Sequence, residues 1–428
     1  MKVMVVGFGG REHTLCWKLS QSSKIKRLYA APGNAGTEAI AQNVEIEPAW
    51  AYIPSLGDFA ASEGIDLTVV GPEAPLAEGI VDHFNQRGLR IFGPDKKAAQ
   101  LESSKVFAKE FMTVQGIPTA RYKVFDGYQA ALGYLEEVEM PVVIKADGLA
   151  QGKGVFVCQE KEEAREALKK TLVERCFGQA GCRVIIEECL MGEEASFLAF
   201  TDGKTFISMA SSQDHKRVYD GDRGPNTGGM GAYSPAPIVT QEIQDRIEEE
   251  ILGPTIEGLS TRDCRFTGVI YLGLMITEDG PKLLEYNVRF GDPETQVILP
   301  RLKTDLLLVL EACLEGRLSE IDLEWDKRAT ICVVLASGGY PGDYEKGKEV
   351  WGLDKVAQSK DVIVFHAGTI QRDDQILTNG GRVLGITAYG HRLGEAAIRA
   401  YEAIEKINFE GCHFRKDIGY KALNRGVR

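Results

Sequence analysis

The sequence lacks the patterns that mark membrane, secreted and zinc proteins. No run of about 18 apolar residues could cross a bilayer. The chain opens on the apolar segment 3–6, which predicts a strand rather than a signal peptide. The nine cysteines are odd in number and include no Cys-x-x-Cys pair, so neither a disulfide framework nor a zinc site is indicated. We therefore expect a soluble protein of the reducing cytoplasm.

Positive charge is also scarce. Lysine and arginine number 50 against 62 acidic residues, which gives a net charge of -12. Proteins that bind nucleic acid without sequence preference use lysine and arginine to neutralise phosphates, so we expect no such partner, and no membrane partner either. The six histidines show no metal-ligand spacing, and no Gly-x-Ser-x-Gly elbow stands with a histidine and an acid in a plausible order. Zinc enzymes and serine hydrolases are therefore disfavoured.

The chain does contain enough apolar segments, over 428 residues, for several domains. In the first hundred residues short apolar runs alternate with helical patterns, which predicts a doubly wound parallel sheet. The expected fold class is α/β and α+β multidomain. The predicted strands of the first domain are 3–6, 27–31, 67–70 and 89–92, and a helix is predicted at 104–115. The predicted domains are 1–103, 104–193 with a small β-rich lid at about 120–190, 194–328, and an α+β module at 329–428.

Three polar turns follow three of the predicted N-terminal strands. Gly7–His13, Pro32–Thr37 and Gly71–Glu73 would all lie at the carboxyl edge of a parallel sheet, where ligands bind. The glycines of the first turn could let backbone N–H groups approach an anion at a helix start. A dinucleotide fingerprint would need glycine in place of Glu12 and an acid near Ala31, so NAD is disfavoured. A tight turn without a ligand is the alternative interpretation.

The segment 281–294 is the most informative part of the chain, because polar and apolar residues alternate there at strand spacing. Glu285, Asn287 and Arg289 alternate with Leu284, Tyr286 and Val288. The apolar face could meet a core while the polar face meets a cleft. Carboxylate and carboxamide oxygens suit Mg²⁺, and Arg289 could hold a carboxylate in a planar fork. The alternative is an edge strand whose polar residues are solvated.

A glycine-rich loop at 147–154 follows another predicted strand. Its amides could fold over a polyphosphate, with Lys145 and Lys105 adding positive charge. It is not a Walker A loop, since the lysine followed by serine or threonine is missing, and a flexible hairpin is the alternative. The apolar run 184–186 then leads into 187–194, where a backbone hinge could bind an adenine edge and an acid the ribose hydroxyls. A charged strand exit would explain the same acids.

A second polar, glycine-rich loop covers residues 214–231. Its composition is too polar for a core, and it contains Asp214, Lys216 and Asn226. We predict a mobile cover over the cleft, because binding residues concentrate on such loops. A solvated surface loop is the alternative.

These segments, in this order, resemble the glycinamide ribonucleotide synthetase family of the ATP-grasp superfamily over essentially the entire chain. Asn-x-Arg-Phe-Gly-Asp-Pro-Glu-Thr-Gln is highly specific in combination with Gly-Leu-Ala-x-Gly-Lys-Gly-Val. Gln151 and Val288 stand where alanine and cysteine are common, and 269–276 lacks the acidic metal ligand that many ATP-grasp relatives place on that strand. The resemblance is carried by Gly7–His13, Pro32–Thr37, Gly71–Leu76, Lys145–Val155, Gln213–Arg217, Gly221–Gly231 and Glu285–Gln296.

The resemblance implies a Rossmann-like N-terminal domain, a central ATP-grasp domain with a lid, and a C-terminal α+β domain. It implies that glycine, ATP and 5-phosphoribosylamine give glycinamide ribonucleotide, ADP and phosphate through glycyl phosphate. The cofactors would be ATP with Mg²⁺ or Mn²⁺, and the enzyme would be a cytoplasmic monomer of purine biosynthesis.

The resemblance and the residue chemistry together assign a candidate site. The catalytic candidates are Arg289, Asp214 and Lys145, and the metal candidates are Glu285 and Asn287. The ATP-binding candidates are Lys105, Lys145, Gly152, Lys153, Gly154, Glu187, Glu188, Cys189, Leu190, Glu194, Lys216 and Asn226. The substrate candidates are Gly10, Arg11, Glu12, Asn34, Thr37, Gly71, Glu73, Asp214, Arg289 and Asp292.

Three rival functions fit parts of the sequence. Another ATP-grasp enzyme acting on formate or bicarbonate would need no ammonium partner such as Asp214. A nicotinamide-dependent oxidoreductase could be built on the first domain. A catalytically silent nucleotide-binding module would bind ATP without substrate-dependent release of ADP.

Overall fold

The computed structural model describes residues 1–46, 53–149, 154–262, 264 and 266–425. In this part of the chain every helix is too short or too polar to cross a lipid bilayer. The predicted α/β and α+β fold class is confirmed, and the described residues form the sheets and helices given below.

The N-terminal residues form a parallel, doubly wound sheet. Its described strands have the order β3-β2-β1-β4-β5, and residues 3–6 are buried among neighbours on both faces, as in sheets covered by helices on both sides. The strands are β1 (Lys2–Gly7), β2 (Arg27–Pro32), β3 (Gln42–Asn43), β4 (Leu67–Val70) and β5 (Ile91–Phe92). The helices are α1 (Gly10–Leu19), α2 (Ile53–Glu63), α3 (Glu73–Glu78), α4 (Ile80–Gln86), α5 (Gln100–Ser103) and α6 (Lys105–Val114).

Helix α6 connects this sheet to the lid. Ser104 caps it, because its Oγ accepts a hydrogen bond of 3.1 Å from the Phe107 amide. The buried face of α6 includes Phe111, which shares a core with Met4 of β1 and Tyr286 of the central sheet. The first domain and the central domain are therefore packed on a common core.

The lid is a small antiparallel sheet with its own apolar core. Its strand order is β6-β9-β7-β8, and Phe125, Leu135 and Leu168 are buried against it. A turn of π-helix at Lys169–Val173 continues its second helix. The elements are β6 (Tyr122–Phe125), α7 (Tyr128–Glu137), β7 (Val142–Ala146), β8 (Val155–Cys158), α8 (Lys161–Leu168) and β9 (Val184–Glu188).

The central domain contains a four-stranded antiparallel sheet with the order β11-β10-β16-β17. The strands of this region are β10 (Glu193–Thr201), β11 (Phe206–Ser208), β12 (Gln213–Asp214), β13 (Arg217–Tyr219), β14 (Arg223–Asn226), β15 (Gly231–Ser234), β16 (Gly268–Thr277) and β17 (Gly280–Asn287). Its helices are α9 (Gln241–Ile247), which continues through a π-turn at Glu248–Leu252, α10 (Gly253–Thr261), α11 (Thr295–Ile298) and α12 (Leu306–Glu315).

The last sheet includes two strands from far upstream. Its order is β12-β15-β18-β22-β19, so β12 and β15 of the loop region pair with strands that follow residue 328. The remaining elements are β18 (Ala329–Ala336), α13 (Leu353–Ala357), β19 (Val362–His366), β20 (Thr369–Arg372), β21 (Gln375–Thr378), β22 (Arg382–Gly390), α14 (Leu393–Ile404) and α15 (Tyr420–Asn424). This pairing fixes the ends of the 214–231 loop to the last module.

Candidate active site

A cavity of about 1210 Å³ lies where the first domain, the lid, the central sheet and the last module meet. It collects most of the residues that the sequence singled out. The predicted site residues that line it are Arg11, Glu12, Glu73, Lys105, Lys145, Glu187, Glu188, Cys189, Leu190, Glu194, Asp214, Lys216, Asn226, Glu285, Asn287, Arg289 and Asp292.

Seven predicted residues are not among those lining the cavity. Gly152 and Lys153 lie outside the described residues. Gly154 joins the two hairpin strands of the lid, and its carbonyl accepts a hydrogen bond from the Ala146 amide at 2.9 Å. The other four, all in the first domain, are Gly10, Asn34, Thr37 and Gly71.

Strand β17 departs from the predicted alternation at Leu284. A β-bulge against β16 pairs Leu283 with Leu274 and Glu285 with Gly273, which leaves Leu284 without a partner. Leu283 takes the core position, and Leu284 lines the cavity instead of facing the core as expected. Tyr286 and Val288 are buried as predicted, because alternation resumes after the bulge.

Glu285 and Asn287 present the hard oxygen atoms that a divalent cation requires. Burial raises the pKa of Glu285, but nearby lysines, Lys216 and Lys145 among them, lower the pKa by more than burial raises it. The pKa of Glu285 is therefore below its usual value, and the carboxylate is ionised. Opposite Glu285 stands Gly273, where even a β-carbon would lie 3.0 Å from Glu285 Cγ. In the described part of the chain no three acidic, histidine or cysteine side chains form a metal cluster. The donor set therefore fits a cation that takes its remaining ligands from phosphate and water.

Arg289 is held by carboxylates from two other segments. Its Nη2 lies 2.8 Å from Glu102 Oε1 and donates to Asn287 Oδ1 at 3.0 Å, and its Nη1 donates to the Phe290 carbonyl at 3.2 Å. Its Nε is 3.3 Å from Glu73 Oε2, but the N–H does not point at that oxygen and has no hydrogen bond in the described structure. Arg289 thus joins the first domain, the linker and the metal candidate while keeping one donor unused.

Glu102 is the least expected member of this group. It is buried on the short helix α5, and its second oxygen accepts a hydrogen bond of 2.8 Å from the Val288 amide. Burial raises the pKa of Glu102 to about 7, against the opposing effect of Arg289. Arg289 therefore favours the ionised form of Glu102, while burial favours the protonated form.

A buried group of two lysines and one glutamate forms the inner end of the cavity. Glu187 Oε2 lies 3.0 Å from Lys145 Nζ and 3.3 Å from Lys109 Nζ. Burial lowers the pKa of Lys109 to about 8, an effect that Glu187 opposes. The other oxygen of Glu187, Oε1, is buried and has no hydrogen-bond partner in the described structure. It is an acceptor that awaits a donor from a ligand.

Asp214 also lines the cavity, close to a second buried carboxylate, Glu294. Glu294 Oε1 accepts hydrogen bonds from Tyr271 Oη at 2.7 Å and Ser196 Oγ at 3.1 Å. Burial and the negative charge of Glu294 raise the pKa of Asp214 well above its usual range. Two carboxylates in such a setting favour binding of a cation between them or beside them.

The first turn of the N-terminal domain is occupied by protein carboxylates. Glu12 accepts hydrogen bonds from the Gly9 amide and from Arg11 Nε, both at 2.6 Å, and Asp292 accepts from the Arg11 amide at 3.2 Å. A β-carbon at Gly71 would lie 2.0 Å from Glu12 Oε1, so glycine is needed there to admit Glu12. The helix start is thereby capped from within the protein.

Asn34 and Thr37 are buried between the first and last domains. The Asn34 side chain donates to the carbonyls of Phe8 and His366 and accepts from the Thr37 amide. Thr37 Oγ1 bonds to Asn34 and to Asn43. Because these polar groups are satisfied inside the protein, a role for either side chain in substrate binding stays a prediction that the geometry does not support.

Several charged residues that line the cavity were not site candidates in the sequence analysis, and four of them take part in the contacts described here. These four are Glu102, Lys109, Glu294 and Arg382. Arg382 Nη1 donates to the carbonyls of Gly228 and Asp292 at 2.6 and 2.8 Å, which ties the last module to the cavity wall. The sequence feature that could have indicated Arg382 is the Gly380-Gly381-Arg382 turn, a glycine-rich loop that ends in a cationic residue. Glu102 and Lys109 lie in helices and belong to no recognisable motif.

Comparison with known proteins gives a consistent result along the chain. Three family models match, described as phosphoribosylglycinamide synthetase N domain at residues 1–102, ATP-grasp (A) domain at 103–295 and C domain at 330–421. A protein of Caldanaerobacter subterraneus subsp. tengcongensis named phosphoribosylamine–glycine ligase is 52% identical over 420 residues, covering 98% of this chain and 99% of that protein. A protein of the same name from Escherichia coli strain K12 is 53% identical over 431 residues, covering 99% of each.

Solved structures agree with this assignment. The crystal structure of phosphoribosylamine–glycine ligase from Thermotoga maritima is 35% identical with a TM-score of 0.85, covering 98% of this chain and all of that one. The biotin carboxylase domain of Hydrogenobacter thermophilus 2-oxoglutarate carboxylase, solved with MgADP, has a TM-score of 0.74 at 16% identity, which supports the fold alone. The chain belongs to the phosphoribosylglycinamide synthetase family of ATP-grasp ligases.

Proposed function

We infer that this chain is an ATP-dependent ligase that joins glycine to 5-phosphoribosylamine, giving glycinamide ribonucleotide, ADP and phosphate in purine biosynthesis. The observation that supports this function is that Glu285 and Asn287, the unpaired Oε1 of Glu187, and the carboxylates of Asp214 and Glu294 all belong to residues lining one cavity. Relatives that are more than half identical over nearly their full length are named for this activity. The residue roles that follow are proposals.

The adenine of ATP would lie at the inner end of the cavity, against Glu187. Its Oε1 lacks a donor, and the 6-amino group of adenine supplies one, while guanine would present a carbonyl oxygen and be repelled. Cys189 and Leu190 follow β9 and line the cavity, as do Glu188 and Glu194, which would bind the ribose hydroxyls. Lys105, Lys145, Lys216, Asn226 and the lid loop with Gly152, Lys153 and Gly154 would bind the phosphates.

Replacing Glu187 by glutamine should relax the choice of base. The amide can turn its NH₂ group toward a guanine carbonyl, so we expect the preference for ATP over GTP in kcat/KM to fall by about 10- to 100-fold. Steady-state rates of ADP and GDP release would measure the ratio of kcat/KM for the two nucleotides. The matched control is Glu136→Gln, which alters an exposed lid carboxylate that pairs with Lys161. An unchanged nucleotide preference in Glu187→Gln would reject the role.

Glycine would bind between Arg289 and Asp214. The unused Nε–H of Arg289 and its full positive charge offer a place for the carboxylate. Asp214, next to the buried Glu294, would receive the ammonium group, which relieves the repulsion between the two carboxylates. An enzyme for formate or bicarbonate needs no such acidic partner.

The raised pKa of Asp214 makes glycine binding dependent on pH. Below that pKa the carboxyl is protonated and no longer attracts an ammonium, so we expect KM for glycine to rise as pH falls, starting above the usual range of an aspartate. The groups that face Asp214 are Glu294, Lys216, Arg382 and Tyr271. Comparing KM for glycine and KM for ATP from pH 5 to 8 tests this, with Asp214→Asn expected to abolish the glycine slope alone. A parallel change in both constants would contradict it.

Glu285 and Asn287 would hold the divalent cation, Mg²⁺ or Mn²⁺. When bound, the cation supplies charge neutralisation on the phosphates of ATP. Lys145 and Lys216 would flank the phosphoryl group that moves, and both lower the pKa of Glu285, which keeps it ionised for the cation. The donor set of one carboxylate and one amide favours a hard cation without choosing between Mg²⁺ and Mn²⁺.

The reaction needs no nucleophile from the protein. The glycine carboxylate attacks the γ-phosphorus of ATP, and the bond from that phosphorus to the bridging oxygen breaks. ADP is the leaving group, and glycyl phosphate stays bound. The amine of phosphoribosylamine then attacks the carbonyl carbon, the carbon–oxygen bond to phosphate breaks, and the amine loses a proton. The role of the residues is to hold the reactants in line and to exclude water.

Phosphoribosylamine would lie at the mouth of the cavity beside the first domain. Glu73 and Arg11 line this region, and Asp292 and Glu12 fix the turn behind them. Gly10 and Gly71 would contribute by leaving space rather than by direct contact. Glu73 is suited to ribose hydroxyls, since a carboxylate accepts from two hydroxyl donors. We propose that the chain acts as a monomer.

Release of ADP is the direct test of the whole function. Purified protein should release ADP only when glycine and freshly generated phosphoribosylamine are both present, and mass spectrometry should find glycinamide ribonucleotide in equal amount. Release with formate or bicarbonate in place of glycine would support a different ligase. ATP binding without any substrate-dependent ADP release would instead support a silent nucleotide-binding module.

A further inference from the structure

Residues 214–229, named the site loop here, are fastened at their outer end by residues 413–421, named the C-terminal strap. The site loop carries Asp214, Lys216 and Asn226, which line the cavity, and includes the hairpin β13–β14. Within the strap only Tyr420 and Lys421 reach the cavity wall. The rest of the strap, Arg415 included, lies outside the cavity lining.

Arg415 is the centre of the strap and is fully buried, at 0% exposure. Its Nε and Nη2 donate to the two oxygens of Asp417 at 2.8 and 2.9 Å. Its Nη1 donates to Asp222 Oδ1 at 2.7 Å and to the Arg217 carbonyl at 3.1 Å. One planar guanidinium thus joins the strap to both the tip and the base of the hairpin.

The two neighbours of Lys216 in the chain are each bound by the strap. The Arg217 carbonyl accepts from Arg415, and His215 Nε2 accepts from the Gly419 amide at 3.2 Å. Burial lowers the pKa of His215 to about 3, so the ring is neutral and Nε2 is free to accept. The Lys216 carbonyl accepts from the amide and hydroxyl of Thr227 at 2.7 and 2.8 Å. The backbone around Lys216 is therefore fixed on three sides.

Further polar contacts join the strap to the hairpin, beside the ring contact between His413 and Tyr219. The Gly221 amide donates to Asp417 Oδ2 at 2.8 Å, and the Lys416 amide donates to Asp220 Oδ1 at 2.8 Å. Asp222 also accepts from Tyr420 Oη at 2.8 Å. Such bonds depend on orientation, unlike apolar packing, so they fix the direction of the loop as well as its distance.

We propose that Arg415 is a positioning residue that sets Lys216 and Asp214 in the active site by holding the site loop through Arg217 and Asp222. This inference rests on the proposed function, because the loop residues it positions are assigned there to ATP and glycine. Arg415 touches no reactant itself. The side chain it serves, Lys216, ends 2.8 Å from Glu194 Oε2 on the cavity wall.

Replacing Arg415 by methionine in the full chain should lower kcat by about 10- to 100-fold, the effect of misplacing a reacting group by about 1 Å. KM for ATP should change by a smaller factor than kcat, because Lys216 is displaced while Glu187, the proposed adenine contact, lies outside the site loop and keeps its lysine partners. Arg415→Lys keeps the charge without the fork and should give an intermediate kcat. Arg328→Met is the matched control, because Arg328 also bridges two aspartates, Asp326 and Asp361, but contacts no site-loop residue.

Two further measurements separate positioning from general destabilisation. In a double-mutant cycle, the fall in kcat for Lys216→Met combined with Arg415→Met should be smaller than the product of the two single falls, because the loss through Lys216 can occur only once, and a fully multiplicative fall would overturn the proposal. Trypsin cleavage after Arg217 and Arg223, mapped by mass spectrometry, should be faster in Arg415→Met than in Arg328→Met. Equal cleavage, or a lowered Tm with unchanged kcat per folded molecule, would also overturn it.

The proposed function can fail separately from this inference. A wild-type protein that releases no ADP with both substrates would reject the ligase assignment, while the cleavage comparison would still test whether the strap holds the loop. If Arg415→Met does not fold, Asp222→Asn removes one acceptor of the same guanidinium and should show the same pattern with a smaller loss of kcat. A wild-type kcat in Asp222→Asn would then reject the proposal.

Discussion

Replacing Glu285 by glutamine is expected to lower kcat by more than about 100-fold, the largest loss that we predict for one atom-for-atom change. The carboxylate is ionised among the lysines that line the cavity, and the residue paired with it across the sheet, Gly273, has no side chain. The amide keeps the shape but loses the charge that would bind the cation. Steady-state ADP release over a range of Mg²⁺ concentrations measures the effect.

The matched control for this change is Glu242→Gln. Glu242 is exposed on α9 and does not line the cavity, so its neutralisation removes the same charge without touching the site. Its kcat should stay within about 2-fold of the wild type, in line with the small effect of most surface changes. Wild-type activity of Glu285→Gln at limiting Mg²⁺ would reject Glu285 as a metal ligand.

Replacing Arg289 by lysine is expected to lower kcat/KM for glycine by about 100-fold or more, while KM for ATP changes less than about 3-fold. An ammonium is a point charge and cannot contact Glu73 and Glu102 together while also reaching Asn287, as the guanidinium does. One buried carboxylate then loses its partner, and the fork for glycine is lost as well. Initial rates with each substrate varied in turn separate the two constants.

Arg301→Lys provides the control for losing a buried guanidinium. Arg301 donates to Ser234 Oγ at 2.8 Å and to the Arg328 carbonyl at 2.9 Å, away from the cavity residues. We expect this variant to lose stability without a selective change in glycine use. If Arg289→Lys affected ATP and glycine equally, Arg289 would organise the domains rather than bind the amino acid.

Strands were predictable from the sequence wherever a single segment contained the complete apolar pattern of a strand. The apolar runs of the first domain became β1, β2 and β4 within one residue of prediction, and the helix at 104–115 was found because Ser104 caps it and Gly116 follows it. β3 was missed because Gln42–Asn43 has only two residues, both polar. β5 is shorter than predicted, at Ile91–Phe92.

Features that depend on a distant partner could not be read from the sequence. The bulge at Leu284 exists only in the register between β16 and β17, so the alternation pattern could not reveal it. The pairing of β15 with β18 crosses about a hundred residues of chain, and no local pattern announces it. The loop that was predicted to be a mobile cover is bound in the structure by Arg415 and Gly419, which lie near the other end of the chain.

The site was predictable as a set of motifs but not as a network. Glu285, Asn287 and Arg289 lie together because strand spacing brings them together, and their roles stay predictions. Glu102 and Lys109 belong to helices with no sequence signature, and only the fold brings them to Arg289 and Glu187. A buried carboxylate or lysine on a helix is recognisable as functional only after its burial is known.

The attachment of the site loop to the strap has a consequence for the order of events during synthesis. Domains generally fold as units from the N-terminal end as the chain emerges, and the lid sheet is built entirely from strands between residues 122 and 188. The site loop instead becomes fixed only after β18 and then Arg415, some two hundred residues further along the chain, have been synthesised. A nascent chain could therefore recognise adenine well before it could transfer a phosphoryl group, and catalysis would begin only once translation had passed residue 421.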